Sequence, residues 1–147
     1  MTSIHPSPLL KFALRADAIV SAAVAALQLL LLDWLAGTLV LPRPLLLGTG
    51  VFLLLYVAML VLLSNASSVW RALILLVVVG NVGWAVGCVA MLAESLVAPS
   101  VLGAAFVAVQ ALTVLAFAAL EWSGLKASRG VSNNGAAGEG TLNLGRK

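Results

Sequence analysis

Four predominantly apolar stretches, each close to the length of a bilayer crossing, decide most of what this chain can fold into. They occupy residues 9–32, 45–63, 72–93 and 100–122. A helix rises 1.5 Å per residue, so ~20 apolar residues cover the ~30 Å hydrocarbon core of a membrane. The chain is 63% hydrophobic and only 9% charged. A soluble domain carries about a quarter charged residues, so too few polar side chains remain here to cover a water-facing surface. In lipid, only helices and closed barrels satisfy the backbone, and no period-two alternation suggests a barrel. The expectation is an all-α membrane protein: an antiparallel four-transmembrane-helix bundle within residues 1–124, followed by a disordered polar tail over residues 125–147.

Several chemistries are excluded by what the chain lacks. Cys88 is the single cysteine and His5 the single histidine, so neither a redox pair nor a zinc cluster can be assembled in motif spacing. No P-loop or dinucleotide fingerprint is present. The expectation is therefore no metal, no cofactor and no enzymatic activity. The isoelectric point near 9.6 does not imply a nucleic-acid partner, because the basic residues flank the apolar stretches. With the amino terminus cytoplasmic, Lys11, Arg15, Arg71, Lys126, Arg129, Arg146 and Lys147 lie inside and only Arg43 lies outside. That asymmetry is the positive-inside signature and predicts both termini in the cytoplasm. Ala23-Val24-Ala25 resembles a signal cleavage site but lies within an apolar run, which favours an uncleaved helix. The sequon Asn65-Ala66-Ser67 falls on the expected cytoplasmic side and is discounted.

The connections set the expected neighbours. The segment from Asp33 to Pro44 is apolar enough to lie along the outer membrane surface, with Trp34 at the interface and prolines around Arg43 stopping the helix. A short polar turn, Ser64 to Trp70, predicts the second and third helices as neighbours. Another, Glu94 to Pro99, predicts the same for the third and fourth. Beyond Gly124 the composition becomes rich in Gly, Ser and Asn, as in segments that form no core.

Polar residues inside the spans recur on single helical faces. At about 100° per residue, Asp17, Ser21 and Gln28 share one face of the first helix, whereas Arg15 points nearly opposite. Arg15 is close enough to the cytoplasmic end to extend out to headgroups. Asp17, ~12 Å into the run, has no such reach. Thr49, Phe52, Tyr56 and Met59 form a stripe on the second helix, and Asn81 shares a face with Trp84, Ala85 and Cys88 on the third. On the fourth, Gly103, Phe106, Gln110, Thr113, Phe117 and Glu121 align. Tyr56, Asn81 and Gln110 each lie ~15 Å from a helix end, near the midplane. Asp17, Ser21, Tyr56, Asn81, Trp84 and Gln110 are the expected binding residues, pointing together at the bundle interior because lipid solvates them poorly. The same hydrogen-bonding groups also serve as interhelical glue in membranes. Glu121 is expected at the interface, exposed.

The third helix contains "GNVGWAVGC". Gly80, Gly83 and Gly87 share a face away from Asn81, with the small-residue spacing that lets helices pack closely. Their expected neighbour is the fourth helix or a second protomer.

With "LRADA" (14–18), "GNVGW" (80–84), "VQA" (109–111) and "ALEWSGL" (119–125), residues 9–125 resemble small four-helix integral membrane proteins of bacteria. The resemblance implies a bacterial cytoplasmic membrane, and it brings no activity. A looser likeness of architecture links the chain to the small multidrug-resistance transporters, which also place a carboxylate in the first of four short helices. Here Arg15 stands nearby and Asp17 is off-centre. The expected function is a structural or accessory membrane protein, its partners being lipids, a second copy or another membrane protein. The alternative is a binder or transporter of a small amphipathic or cationic molecule, with Asp17 as counter-charge.

Overall fold

The computed structural model describes residues 3–93 and 98–130. Each apolar stretch forms a helix whose ends follow local chemistry. Helix α1, Pro8–Leu30, starts where the Ser7 hydroxyl accepts the Leu10 amide at 3.1 Å, with Pro8 in the first turn, where a missing N–H costs nothing. It ends at Leu31, and the chain continues at once as the short helix α2, Leu32–Leu39. Helix α2 terminates on Val40 in the left-handed region, φ 55°. Pro42 then precedes α3, Arg43–Asn65, and Pro44 sits inside its first turn. Helix α4 spans Arg71–Ala93 and α5 spans Val101–Ala127, the latter capped by Ser100, whose hydroxyl accepts the Gly103 amide at 3.0 Å. The helices α1, α3, α4 and α5 are each long and apolar enough to cross a membrane.

Three very short strands join the chain at one end of the helices. Strand β1, Ser3–His5, lies between β2, Val69–Trp70, and β3, Arg129–Gly130, with both pairings antiparallel. The start of α1, the α3–α4 connection and the end of α5 are thereby gathered together. His5 Nδ1 adds a 3.1 Å hydrogen bond with the Ser67 carbonyl. At the opposite end, α2 docks on the start of α5: the Ser100 amide donates to the Leu39 carbonyl at 2.9 Å and the Ser100 hydroxyl to the Thr38 carbonyl at 2.9 Å. Arg43 and Asp33 form an exposed ion pair beside α2, 2.6 Å apart.

Helix α3 packs on α1, α1 on α5, and α5 on α4. The order of close backbone packing is thus α3–α1–α5–α4, whereas α3 and α4 stand farther apart and meet through side chains, Leu60 and Leu63 sharing a buried cluster with Ile74 and Val77. The short connection between them predicts neighbours, and they do meet through Tyr56–Asn81 and Phe52–Trp84, though without close backbone approach, because β2 extends within the connection and pairs with β1. Extended residues advance ~3.3 Å each, so the connection spreads the two helices rather than folding one onto the other. The third and fourth spans, α4 and α5, do pack as expected.

Two buried clusters lie toward the two ends. One gathers Ile4, Leu10, Leu14, Leu60, Ile74 and Leu125 near the sheet, and the other gathers Leu35, Leu39, Leu41, Leu46 and Val107 near α2. The outer surface is apolar as well, with Val101 88% and Leu30 81% exposed. Such a surface suits hydrocarbon and not water.

Two boundaries move from their expected places. The first span stops at Leu30, and residues to Leu39 form the separate helix α2. The last helix runs on to Ala127, past Trp122, so residues 125–127 are helical. Residues 131–147 of the expected tail lie outside the described residues.

Candidate functional site

Four helices contribute polar groups to a cluster between the two apolar clusters, two from α1 and one each from α3, α4 and α5. Asp17 of α1 has no exposed surface, and its carboxylate accepts three hydrogen bonds: Ser21 Oγ at 2.9 Å on Oδ1, and Tyr56 Oη at 2.8 Å and Asn81 Nδ2 at 3.1 Å on Oδ2. Ser21 follows Asp17 by one turn of the same helix, which is why its hydroxyl faces the carboxylate. Tyr56 comes from α3, and its hydroxyl also lies 3.1 Å from Asn81 Oδ1. Asn81, on α4, turns the other hydrogen-bonding direction of its amide nitrogen to Glu121 Oε2 on α5, at 3.1 Å. One asparagine thus ties two carboxyl groups together.

Glu121 departs from its expected place. Its helical phase points inward as the α5 stripe implies, but its depth does not match: it has no exposed surface. Ending the fourth span at Trp122 puts Glu121 at the rim, whereas five more helical residues follow Trp122 and carry the helix end ~7.5 Å beyond it. Gly124 closes the cover. A Cβ there would lie 2.7 Å from the Leu10 backbone, so α1 and α5 approach closely immediately beyond Glu121. Its Oε1 is buried with no hydrogen-bond partner among the described residues.

Beside this cluster opens a cavity of about 530 Å³ whose walls include Asp17, Ser21, Tyr56, Asn81, Trp84 and Gln110. All six expected binding residues therefore border one space, in two groups. Asp17, Ser21, Tyr56 and Asn81 hydrogen-bond to one another at the wall. Trp84 and Gln110 stay outside that network and face the cavity, with no hydrogen bond to the Gln110 side chain among the described residues. The remaining walls are mainly aliphatic and aromatic, among them Val20, Val24, Leu76, Phe106 and Phe117. Phe52 of α3 stacks on Trp84 of α4, with ring centroids 5.7 Å apart and planes 9° apart, and continues to Tyr56 at 6.4 Å. This aromatic contact joins α3 to α4 where their backbones do not approach closely.

A second cavity, about 390 Å³, lies toward α2 and shares Trp84, Phe106 and Gln110 with the first. Those three side chains stand between the two spaces. Gln28 lines the second cavity and is buried, its Oε1 accepting the Thr49 hydroxyl at 3.1 Å.

Among the described residues, the glycine face meets no other helix. A Cβ built at Gly80, Gly83 or Gly87 would meet nothing within 4 Å. Helix α5 does pack on α4, but not through these glycines; Gly80 borders the first cavity and Gly83 and Gly87 the second. Arg15 behaves as its helical phase implies: exposed, turned from Asp17, and donating to Asn65 Oδ1 at 3.3 Å.

A chain of four potential membrane spans around a buried acidic cluster and an apolar cavity is the class that fold and site define. Compared with known proteins, it matches no family model, no curated protein and no solved structure.

Proposed function

We propose that this chain is a membrane protein that binds a small amphipathic molecule carrying a positive charge, and that the cavity beside Asp17 holds it. The observation that carries this reading is the combination of a mainly apolar space of about 530 Å³ with a buried carboxylate at its wall. Ligand sites are of this size and character, largely apolar with a few placed polar groups. Asp17 reaches the cavity through Tyr56 and Asn81, which cover its oxygens. A unit positive charge ~6 Å from a carboxylate gains about 3 kcal/mol at an effective dielectric constant of ~20, enough to favour a cation over a neutral molecule of the same shape. Tyr56, Phe52 and Trp84 add aromatic faces that attract cations.

In this reading the helices form an antiparallel bundle in a bacterial cytoplasmic membrane, with both termini inside. The sheet end carries Lys11, Arg15, Arg71 and Lys126, and the α2 end carries Arg43 with its acidic partner, which supports that orientation.

The test is binding of tetraphenylphosphonium to the purified protein in lipid nanodiscs, beside tetraphenylborate, an anion of the same shape. The expected result is saturable binding of the cation alone, lost in Asp17→Asn while the variant retains its helical spectrum and membrane insertion. Equal binding of both ions, or an unchanged Asp17→Asn variant, overturns the reading. The structural or accessory role keeps one supporting observation, the uncovered Gly80, Gly83 and Gly87 face, which suits a second copy or another membrane protein.

A further inference from the structure

Glu121 and Asp17 are held in unlike ways, and the difference points to a second site. Asp17 accepts three hydrogen bonds from Ser21, Tyr56 and Asn81, enough to stabilise a carboxylate charge without a metal or a basic side chain. Glu121 accepts one, on Oε2 from Asn81, and its Oε1 is buried and unpartnered. Both residues have no exposed surface.

Among the described residues, the groups facing Glu121 supply no positive charge. Helix α1 offers Asp17 and Ser21, α3 offers Tyr56 and α4 offers Asn81. The nearest cations along the chain are turned elsewhere: Lys126 lies over the Trp122 ring, 5.1 Å from its centroid, and Arg15 is bonded to Asn65. Two carboxylate charges sharing one neutral amide in an apolar interior have no compensating cation among the described residues. The missing positive charge has to come from solution, and the open Oε1 is where an acceptor remains for it.

We propose that Glu121 is a site for a single small monovalent cation, a proton or an alkali ion, with Oε1 as the receiving atom and Asn81 as its link to Asp17. Occupancy by a proton converts the carboxylate to a carboxylic acid: a hydronium ion gives up the proton, its O–H bond breaking as the Glu121 O–H bond forms, and a neutral water is left. An alkali ion is the other source of that charge: the cluster offers it carboxylate, hydroxyl and amide carbonyl oxygens, beside the Asn81 Nδ2 that already donates to Oε2. In either case the cation offsets one of the two carboxylate charges in the cluster. The inference stands apart from the cavity ligand, and it survives if tetraphenylphosphonium does not bind.

Infrared difference spectroscopy on the protein in nanodiscs tests it and separates the two sources. One arm steps pH in a sodium-free buffer of N-methylglucamine; the other exchanges N-methylglucamine for sodium or potassium at fixed pH. The expected result is a carboxyl band that responds in one arm, absent in Glu121→Gln and retained in Glu121→Asp, which keeps the carboxyl group. Growth on carboxyl-¹³C glutamate must shift the same band in the unmutated protein, which separates it from Asp17 and Asp33, and the double variant Glu94→Gln, Glu139→Gln must retain it, which leaves Glu121 as its source even if Glu121→Gln does not fold. A response only in the pH arm identifies a proton, and one in the sodium or potassium arm identifies the metal ion. A silent spectrum in both arms overturns the proposal, as does a band that persists in folded Glu121→Gln or ignores the isotope.

Discussion

Asn81 carries more of the interior than any residue beside it, because both carboxyl groups depend on its amide. Replacing it with leucine removes donors from Asp17 Oδ2 and Glu121 Oε2 together and leaves two acidic groups in an apolar setting. Losing a partner of a buried charged group costs about 2–4 kcal/mol, so Asn81→Leu should unfold at clearly lower temperature in detergent. A melting curve that overlays the parent's would show that the cluster does not hold the helices. Gln28 provides the contrast. It is equally buried, but the Thr49 hydroxyl that it accepts also bonds the Leu45 and Leu46 carbonyls. Gln28→Leu leaves that hydroxyl satisfied, so its expected cost is under about 1 kcal/mol. A loss as large as that of Asn81→Leu would contradict this ordering.

Helix faces were legible in the sequence to a greater degree than helix ends or helix neighbours. The phase of Asp17, Ser21, Tyr56, Asn81 and Gln110 follows from a fixed turn per residue, and the structure places all five along one cavity. Glu121 shared that phase but was placed at the wrong depth, since apolarity fades after Trp122 while the helix persists to Ala127. Hydropathy reports where lipid-like composition stops, not where the backbone leaves its helical bonds. Nor could two- and three-residue strands be seen: β2 contributes only Val69 and Trp70, too few for an alternating pattern, and it exists through its partner. The glycines show the same limit. Composition marks Gly83 and Gly124 alike as small, but only Gly124 faces a neighbouring backbone in this chain. Gly124→Ala should therefore separate α1 from α5 and destabilise the fold by about 1–3 kcal/mol. Gly83→Ala should be neutral or more stable by up to about 1 kcal/mol in the monomer, as alanine favours helix. If a second copy covers the Gly80, Gly83 and Gly87 face, Gly83→Leu should shift the protein toward monomer in light scattering after gel filtration, and an unchanged mass would remove that partner.

At the scale of the whole molecule, the order α3–α1–α5–α4 leaves one seam, and the cavity lies along it. Its rim carries Leu55 of α3 and Leu76 of α4, 70% and 59% exposed. If the bundle crosses a membrane, those side chains meet acyl chains, and the seam opens sideways into lipid instead of toward water at either end. Orientation is checked first. In a Cys88→Ser background, Gly37→Cys should react with an impermeant maleimide in intact cells, and Ser68→Cys only after the membrane is opened; the reverse pattern inverts the topology. The seam then makes a kinetic prediction. A bulky side chain at the rim obstructs arrival and departure equally, because both use the same opening, and it leaves the floor formed by Asp17, Tyr56 and Asn81 untouched. Leu55→Trp should therefore slow association and dissociation of tetraphenylphosphonium by the same factor in stopped-flow measurements, with the Kd unchanged. Leu102→Trp, whose side chain is exposed and lines neither cavity, should alter neither rate. If Leu55→Trp changes the Kd through dissociation alone, Leu55 touches the bound cation and belongs to the site; if it changes nothing, the cation enters by another path than the α3–α4 seam.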